Sequence, residues 1–325
     1  MSGVGQNVRA VPRWSVMIPA YRPDRALLEE ALQSVLVPHP EMHQMQIEVV
    51  DDASPDMDVA RMVREIAPAR VAVFRRSRNG GLAACWNTCI ARARGELVHL
   101  LHQDDSVRPG FYGRMESLMR ACPQAVYGFC RHEIINDDGT RWLSELERDT
   151  PGLIENWLPR ICVQQRIQCA SVVVRRAAYA KVGGFRADLP YVLDWEMWIR
   201  LAAHGPVAFE PHVLAVYRRH AGSQTNRLMR SGKAIRDVIR LAWLQKRIVG
   251  QQLYERLSPD IWRGAAAWVS QAVAQDMYGR GAGELALLLG SAAVWFGRAG
   301  RWGEACMCAR WAAGILKNGV SLGPV

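Results

Sequence analysis

The sequence predicts an α/β fold: a mostly parallel central sheet with helices on both faces, followed by a helical C-terminal extension. Three observations predict it. Short apolar runs alternate with amphipathic helical stretches over the first hundred residues, the βαβ pattern of strands joined by crossover helices. The runs end in polar or turn-forming residues, Pro19-Ala20-Tyr21, Asp51-Asp52-Ala53-Ser54 and Asp104-Asp105, at the carboxyl ends where such sheets bind ligands. From about Gly222 the chain reads as all-helical.

The elements follow in order. Trp14–Ile18 is a buried strand, which Pro19 is expected to stop. Asp24 is placed to cap a helix over 26–36. A second strand at Ile47–Val50 runs into Asp51-Asp52, followed by a helix at Val59–Ile66 and a third strand at Val71–Phe74. Leu82, Trp86, Cys89, Ile90 and Ala93 recur on one helical face, and Leu97–Leu101 is a fourth strand. Further on, strands are expected at Ala125–Glu133 and Cys169–Arg175, with a turn at Asn136-Asp137-Asp138-Gly139. An amphipathic helix is expected at Asp194–Ala203, then two short strands at Val207–Phe209 and Val213–Tyr217. The helical tail holds Trp243, Trp262, Trp268, Trp295, Trp302 and Trp311, with a helix link at 297–302. Two domains are expected, 1–225 and 226–325.

Bulk properties narrow the class. The 325 residues suit one large domain with an appendage, and half are hydrophobic, enough for a sizeable core. Met1–Val11 is short and polar, without signal-peptide character. The apolar run Leu285–Phe296 is shorter than the ~20 residues that span a bilayer. Eight cysteines form no CxxC pair, and Cys85 and Cys89 fall at i, i+4 on a helix. Buried reduced thiols and a cytoplasmic setting are the expectation. The net charge is +10, and from Ala221 onward 14 Lys/Arg face 6 Asp/Glu, so +8 of it lies in the tail. Such a tail suits an anionic partner: nucleic acid, a phospholipid surface or a phosphate-bearing substrate.

The polar strand ends carry the chemistry. Adjacent carboxylates at Asp104 and Asp105 suit a hard divalent cation, which takes one or two carboxylates plus substrate phosphates. A carboxylate at a strand end, such as Asp52, can accept the imide N–H of uracil or thymine, or it can cap a turn. Asn79-Gly80-Gly81 precedes a helix, where glycines admit a ligand close to the backbone and the helix N-terminus favours anions. It is neither a P-loop nor a GxGxxG element. Asp194 opens the helix before Trp195–Ala203 and fits an N-cap there.

The order and spacing of these pieces resemble family-2 glycosyltransferases of the GT-A fold. The likeness is carried by Ser15-Val16-Met17-Ile18-Pro19-Ala20-Tyr21, by Val49-Val50-Asp51-Asp52-Ala53-Ser54-Pro55-Asp56, and by Asn79-Gly80-Gly81-Leu82-Ala83-Ala84 with Asn87. It continues through Gly95-Glu96, Asp104-Asp105, Gly183-Gly184-Phe185, Asp194-Trp195-Glu196-Met197-Trp198 and Tyr217-Arg218-Arg219-His220, covering about 13–225. By resemblance, Asp52 reads the base, Pro19, Ala20 and Tyr21 wall its pocket, and Asn79 and Gly81 meet the nucleotide. Asp105 holds the metal, Mn²⁺ or Mg²⁺, with Asp104 beside the ribose or the ion and His220 completing the shell. Many members carry Asp-x-Asp-Asp where this chain has His102-Gln103-Asp104-Asp105. His102 then lines the cleft or ligates a softer ion such as Mn²⁺. Arg218 is a candidate for a phosphate, Arg166 and Gln168 for donor or acceptor, and Trp195 for a sugar face or the core.

Asp194 stands where the family carries its base, often as Glu-Asp, although Leu193 precedes it here. The resemblance implies an inverting, metal-dependent transfer from a nucleotide-diphosphate sugar, UDP or dTDP favoured, to a glycan or lipid-linked acceptor. The basic, Trp-rich tail suits peripheral contact with the inner membrane face, and no nucleic acid partner is expected. Two alternatives stand beside this reading. A sugar nucleotidyltransferase shares such a sheet, but Pro19-Ala20-Tyr21-Arg22 is no glycine- and lysine-rich loop. An inactive nucleotide-sugar-binding scaffold is disfavoured by the joint presence of Asp52, Asp105 and Asp194.

Overall fold

The structure is a computed structural model that describes residues 11–36, 45–220, 222–231, 233–276, 289–290, 292–294, 296–297 and 301–318. These form two compact units that interleave in sequence. The first takes described residues within Met1–Ile154, Ile167–Phe185 and His204–Arg218, the second those within Glu155–Arg166, Arg186–Ala203 and Arg219–Val325.

The first unit holds the sheet. Its parallel half is built from β1 (Trp14–Ala20), α1 (Arg25–Val35), β2 (Met45–Asp51), α2 (Val59–Ile66), β3 (Ala72–Arg75), α3 (Leu82–Arg92) and β4 (Leu97–Leu100). Next come β5 (Ser106–Val107), α4 (Phe111–Ala121), β6 (Tyr127–Asn136), β7 (Arg141–Leu143) and β8 (Gly152–Leu153). After α5 (Trp157–Val163), which belongs to the second unit, the first resumes with β9 (Val172–Arg175), α6 (Arg176–Val182) and, after α7 (Leu193–His204), β10 (Val207–Arg219). The strand order is β3-β2-β1-β4-β9-β6-β10-β5, with β7 on β6 and β8 on β10. β1 to β4 pair in parallel, whereas β9 runs antiparallel to both β4 and β6. The expected mixed, mostly parallel-opening α/β sheet is what forms.

β1 is buried on both faces. Trp14, Val16, Ile18 and Ala20 join Leu28 and Leu32 of α1, Val59 and Val63 of α2, and Phe111 and Met115 of α4 in one core. The alternate residues point to the other face, where Ser15 Oγ accepts the N–H groups of Arg94 and Gly95 just past α3.

Three local expectations change. β1 runs through Pro19 to Ala20. The β4 pairing ends at Met17, and by strand alternation the absent N–H of Pro19 faces that vacated side, so no ladder bond is lost. The two short strands expected at 207–209 and 213–217 are one strand, β10, with Pro211 between the stretch paired with β8 and the stretch paired with β5. The strand expected from Cys169 begins at Val172, because Cys169–Ser171 coils into a 3₁₀ turn closed by Ser171 on the Gln168 carbonyl. The turn at 136–139 forms as expected, joining β6 to β7 with Gly139 at φ +81°.

The second unit is helical: α5, α7, α8 (Gln224–Arg230), α9 (Lys233–Val249), α10 (Gln251–Asp276) and α11 (Trp302–Asn318). α5 packs on α10 at Gly264, where a Cβ would stand 2.2 Å from the Val163 carbonyl oxygen. Trp262 is buried, Trp268 meets Tyr191 edge-on and Trp243 is exposed. The side chains of Trp295, Trp302 and Trp311, residues 298–300 of the expected helix link and 285–288 of the apolar run lie outside the described set. Seven of the eight cysteines are buried and free, and Cys306 is free and exposed. Among the described residues, no helix is long and apolar enough to cross a membrane.

Candidate functional site

The carboxyl ends of β1, β2 and β4 are tied into one edge by short-range bonds. Asp52 N–H donates to the Ala20 carbonyl at 2.8 Å. Arg22 N–H donates to Ser54 Oγ at 2.8 Å, and Tyr21 N–H to Gln103 Oε1 at 2.8 Å. Arg22, Ala53 and Asp56 hold φ of 46°, 57° and 57°, a left-handed backbone that non-glycine residues adopt at a cost. Pro19, Ala20, Tyr21, Asp52 and the 102–105 segment are thereby brought to the same edge.

The two aspartates after β2 have different tasks. Asp51 is structural: Oδ1 accepts from Ser54 N–H and Oγ at 2.9 and 2.6 Å, and Oδ2 from Arg75 at 2.6 Å. Asp52 is buried and reaches the loop before α3. It accepts from Gly80 N–H at 3.1 Å, from Gly81 N–H at 2.9 Å and from the Arg76 guanidinium. Asn79 Oδ1 also accepts from Gly81 N–H, at 3.1 Å, and Gly81 sits at φ +79°, open only to glycine without strain. Gly80 N–H also reaches the other oxygen, Oδ2, at 3.3 Å, so the three donors engage both carboxylate oxygens. The sequence does not mark Arg76 as a site residue; its one signal is a cation three residues before Asn79.

After β4, His102, Asp104 and Asp105 place one ligand atom each within 4.8 Å of one another. His102 Nδ1 lies 3.4 Å from Asp105 Oδ2. Asp105 is 2% exposed; Oδ1 accepts the Arg218 N–H at 2.9 Å, while Oδ2 is buried with no hydrogen-bond donor. Burial pushes the Asp105 carboxyl above its ordinary range and Asp104 adds to this, while His102 and the Arg218 N–H pull the other way. A buried carboxylate oxygen lacking a donor, beside a second carboxylate and an imidazole, fits a divalent cation; the imidazole suits Mn²⁺ better than Mg²⁺.

The shell around this group is built from α3 and β10. The His102 ring stacks on Trp86 at 4.7 Å and 30°, and Trp86 meets Phe185 edge-on at 4.9 Å. Asn87 clamps the Phe185 backbone, accepting its N–H at 2.7 Å and donating to its carbonyl at 3.0 Å. Arg218, read from the sequence as a phosphate contact, turns its guanidinium to Glu30 at 2.7 Å and to the Asp104 carbonyl at 3.3 Å. It thereby positions the 104–105 backbone. Gln168 contributes its carbonyl to the turn before β9.

Arg166, Asp194, Trp195 and His220 belong to the second unit. Asp194 lies in the first turn of α7 rather than at its N-cap. Its Oδ1 accepts the Trp195 N–H at 2.7 Å and its Oδ2 accepts from Gln165 Nε2 at 2.9 Å. The sequence points to its neighbours Arg166 and Gln168; only the folded chain shows that Gln165 turns to Asp194. Arg166 donates to Gln164 at 3.4 Å. Trp195 is 4% exposed and its indole N–H donates to the Ile161 carbonyl at 2.6 Å, the packing that its core reading implies. The phenol of Tyr191 is pushed up by burial, and Asp194 adds to the shift. The His220 carbonyl accepts from Asn226 Nδ2 at 2.7 Å.

Known proteins resemble this chain in sequence and in fold. The profile described as Glycosyl transferase family 2 matches residues 15–182. An uncharacterised Mycobacterium tuberculosis protein is 30% identical over 284 residues, 80% of this chain and 82% of that protein. The O-antigen biosynthesis protein RfbC of Myxococcus xanthus is 26% identical over 197 residues, 59% of this chain but 14% of RfbC. Among solved structures, S. aureus TarS 1–349 in complex with UDP-GlcNAc superposes with a TM-score of 0.65 at 13% identity, over 93% of this chain and 92% of that one. The mannosyltransferase PcManGT from Pyrobaculum calidifontis, in complex with GDP-Man and Mn²⁺, gives 0.55 at 18%, over 93% and 87%. The fold is of the GT-A type, and the chain belongs to glycosyl transferase family 2.

Proposed function

We propose that this chain is an inverting glycosyltransferase that moves a sugar from a nucleotide-diphosphate donor to a hydroxyl of a glycan or lipid-linked acceptor. The observation that carries the reading is the edge where Asp52, the 79–81 loop and the His102-Asp104-Asp105 group meet on the carboxyl ends of three adjacent strands. Asp52, at the carboxyl end of β2, is proposed to accept a base imide, which favours uracil or thymine. The UDP-GlcNAc complex of TarS supports such a donor, and the name of RfbC supports a glycan acceptor.

His102, Asp104 and Asp105 would hold Mn²⁺ or Mg²⁺, with His220 proposed to complete the set. The ion's chemistry is to neutralise charge on the departing diphosphate. Asp194 takes the acceptor proton while the acceptor oxygen bonds to the anomeric carbon; the carbon–oxygen bond to the diphosphate breaks and its electron pair leaves with the nucleotide. Gln165 holds Asp194 Oδ2 and so orients the carboxylate for this step. Residues 1–225 are proposed as the transferase domain and 226–325 as a helical extension. The free thiols suit a cytoplasmic setting.

Calorimetry of UDP binding with and without Mn²⁺, followed by product analysis, tests the reading. Binding should require the ion, and Asp194→Asn should keep it while losing transfer by about 10²–10⁴-fold, the range of general-base catalysis. Metal-independent binding, or transfer that survives in Asp194→Asn, would overturn the respective assignment. Binding without transfer from any donor would favour a scaffold.

A further inference from the structure

The chain's positive charge is concentrated in one short stretch. Residues 221–250 carry seven Lys/Arg against one Asp, so +6 of the net +10 falls in thirty residues. α9 lies at its centre. Lys233, Arg236, Arg240, Trp243 and Arg247 recur at i, i+3, i+7, i+10 and i+14, which sets them in one line along the helix. The opposite side of α9, including Ala234, Ile235, Val238, Ile239, Leu241 and Ala242, is buried. The line itself is open to solvent: Lys233 and Arg247 are exposed and Trp243 is 52% exposed.

The charge there is only partly neutralised. Arg236 pairs with the buried Asp237, and Arg240 shares Asp188 with Arg186. With Lys233, Lys246 and Arg247, six cations face two carboxylates, and these last three have no carboxylate partner among the described residues. Trp243 stands within this field and Arg247 lies over its ring at 5.5 Å from the centroid.

We infer that the outer face of α9 docks on an anionic lipid surface. Charge complementarity draws the stripe to acidic headgroups, each basic side chain near such a surface strengthening the partition about fivefold. An exposed indole has an apolar body and an N–H, the combination that suits the headgroup boundary. The guanidinium across one ring face leaves that face unavailable for stacking on a base, which disfavours a nucleic acid. Binding there needs nothing from the transfer chemistry, so it stands or falls separately from the proposed activity.

Sedimentation of the full chain with phosphatidylcholine vesicles, with and without phosphatidylglycerol, tests the inference. Binding is expected only with the anionic lipid and should weaken as salt rises. Lys246→Gln with Arg247→Gln, which touches no ion pair, should weaken it about 25-fold and flatten its salt dependence. Trp243→Ala should weaken it while leaving the salt dependence as in the parent. An unchanged circular dichroism melt checks that each variant is folded. Equal binding to neutral vesicles, binding in the double variant as tight as in the parent, or a duplex nucleic acid that acidic vesicles fail to displace would each overturn it.

Discussion

Asp52 shows how one side chain orders a site before any ligand reaches it. Its carboxylate takes the N–H groups of Gly80 and Gly81 and the guanidinium of Arg76, which fixes the loop that opens α3. Hydrogen bonds to a charged group each contribute about 1.5–3 kcal/mol, and they do not add in full because the partners share one anion. Asp52→Ala should therefore lower unfolding stability by about 2–4 kcal/mol without nucleotide present, read from urea denaturation. Asp52→Asn keeps an acceptor but loses the charge, so it should cost less. Equal losses for the two variants would mean that the charge on Asp52 is unimportant to the loop. The motif around Asp52 was legible because its residues are adjacent in sequence. Its partner Arg76 was not, because nothing local says which of several arginines a buried carboxylate will meet.

At the level of elements, ends set by local chemistry were readable and ends set by distant partners were not. Asp24 caps α1 by accepting from Ala26 and Leu27 N–H, the interaction its position implies, and α2 has the bounds that its apolar spacing gives. β10 was read as two pieces because Pro211 interrupts it, yet β8 and β5 hold its two halves in one line. α4 ends by a device of the same long-range kind. Its last carbonyls have no helical partner, and Arg175 from β9 takes that of Met119 at 2.6 Å, together with the Cys122 and Ala125 carbonyls just past the helix at 3.3 and 2.8 Å. Arg175→Met should cost about 2–4 kcal/mol in urea unfolding. Arg175→Lys should recover less than half, since an ammonium cannot span three carbonyls as a planar fork does. Full recovery by lysine would show that charge alone matters there.

Across the whole molecule, two buried histidines tie stability to pH. His99 lies on β4 between the Tyr112 hydroxyl and the Ala170 carbonyl, and burial lowers its pKa to about 3. His132 on β6 is lowered to about 4 by burial, with Arg131 adding to it. Both are neutral in the folded chain at pH 7, whereas an unfolded histidine titrates near 6.5. Below that point the unfolded chain takes up protons that the folded one refuses, so stability is lost as pH falls from about 6.5 towards 4. Each histidine contributes a slope of about 1.4 kcal/mol per pH unit in that window. Urea unfolding between pH 7 and 5 should show this fall, and His132→Gln should halve its slope whatever it does to stability at pH 7. A slope unchanged in that variant would mean His132 charges freely in the fold.

The sequence by itself determined the alternation of strands and helices over the first hundred residues, the three polar strand ends and the family. Periodicity, caps and adjacent motif residues are local, and they are written along one stretch of chain. Tertiary structure alone decided how those pieces are used. It placed Trp86 under His102, gave Arg218 to Glu30 and the Asp104 carbonyl, turned Gln165 to Asp194 and buried Trp195. The reason is physical: a buried polar group takes whichever partner the packed chain brings within about 3 Å, and sequence distance does not limit that choice.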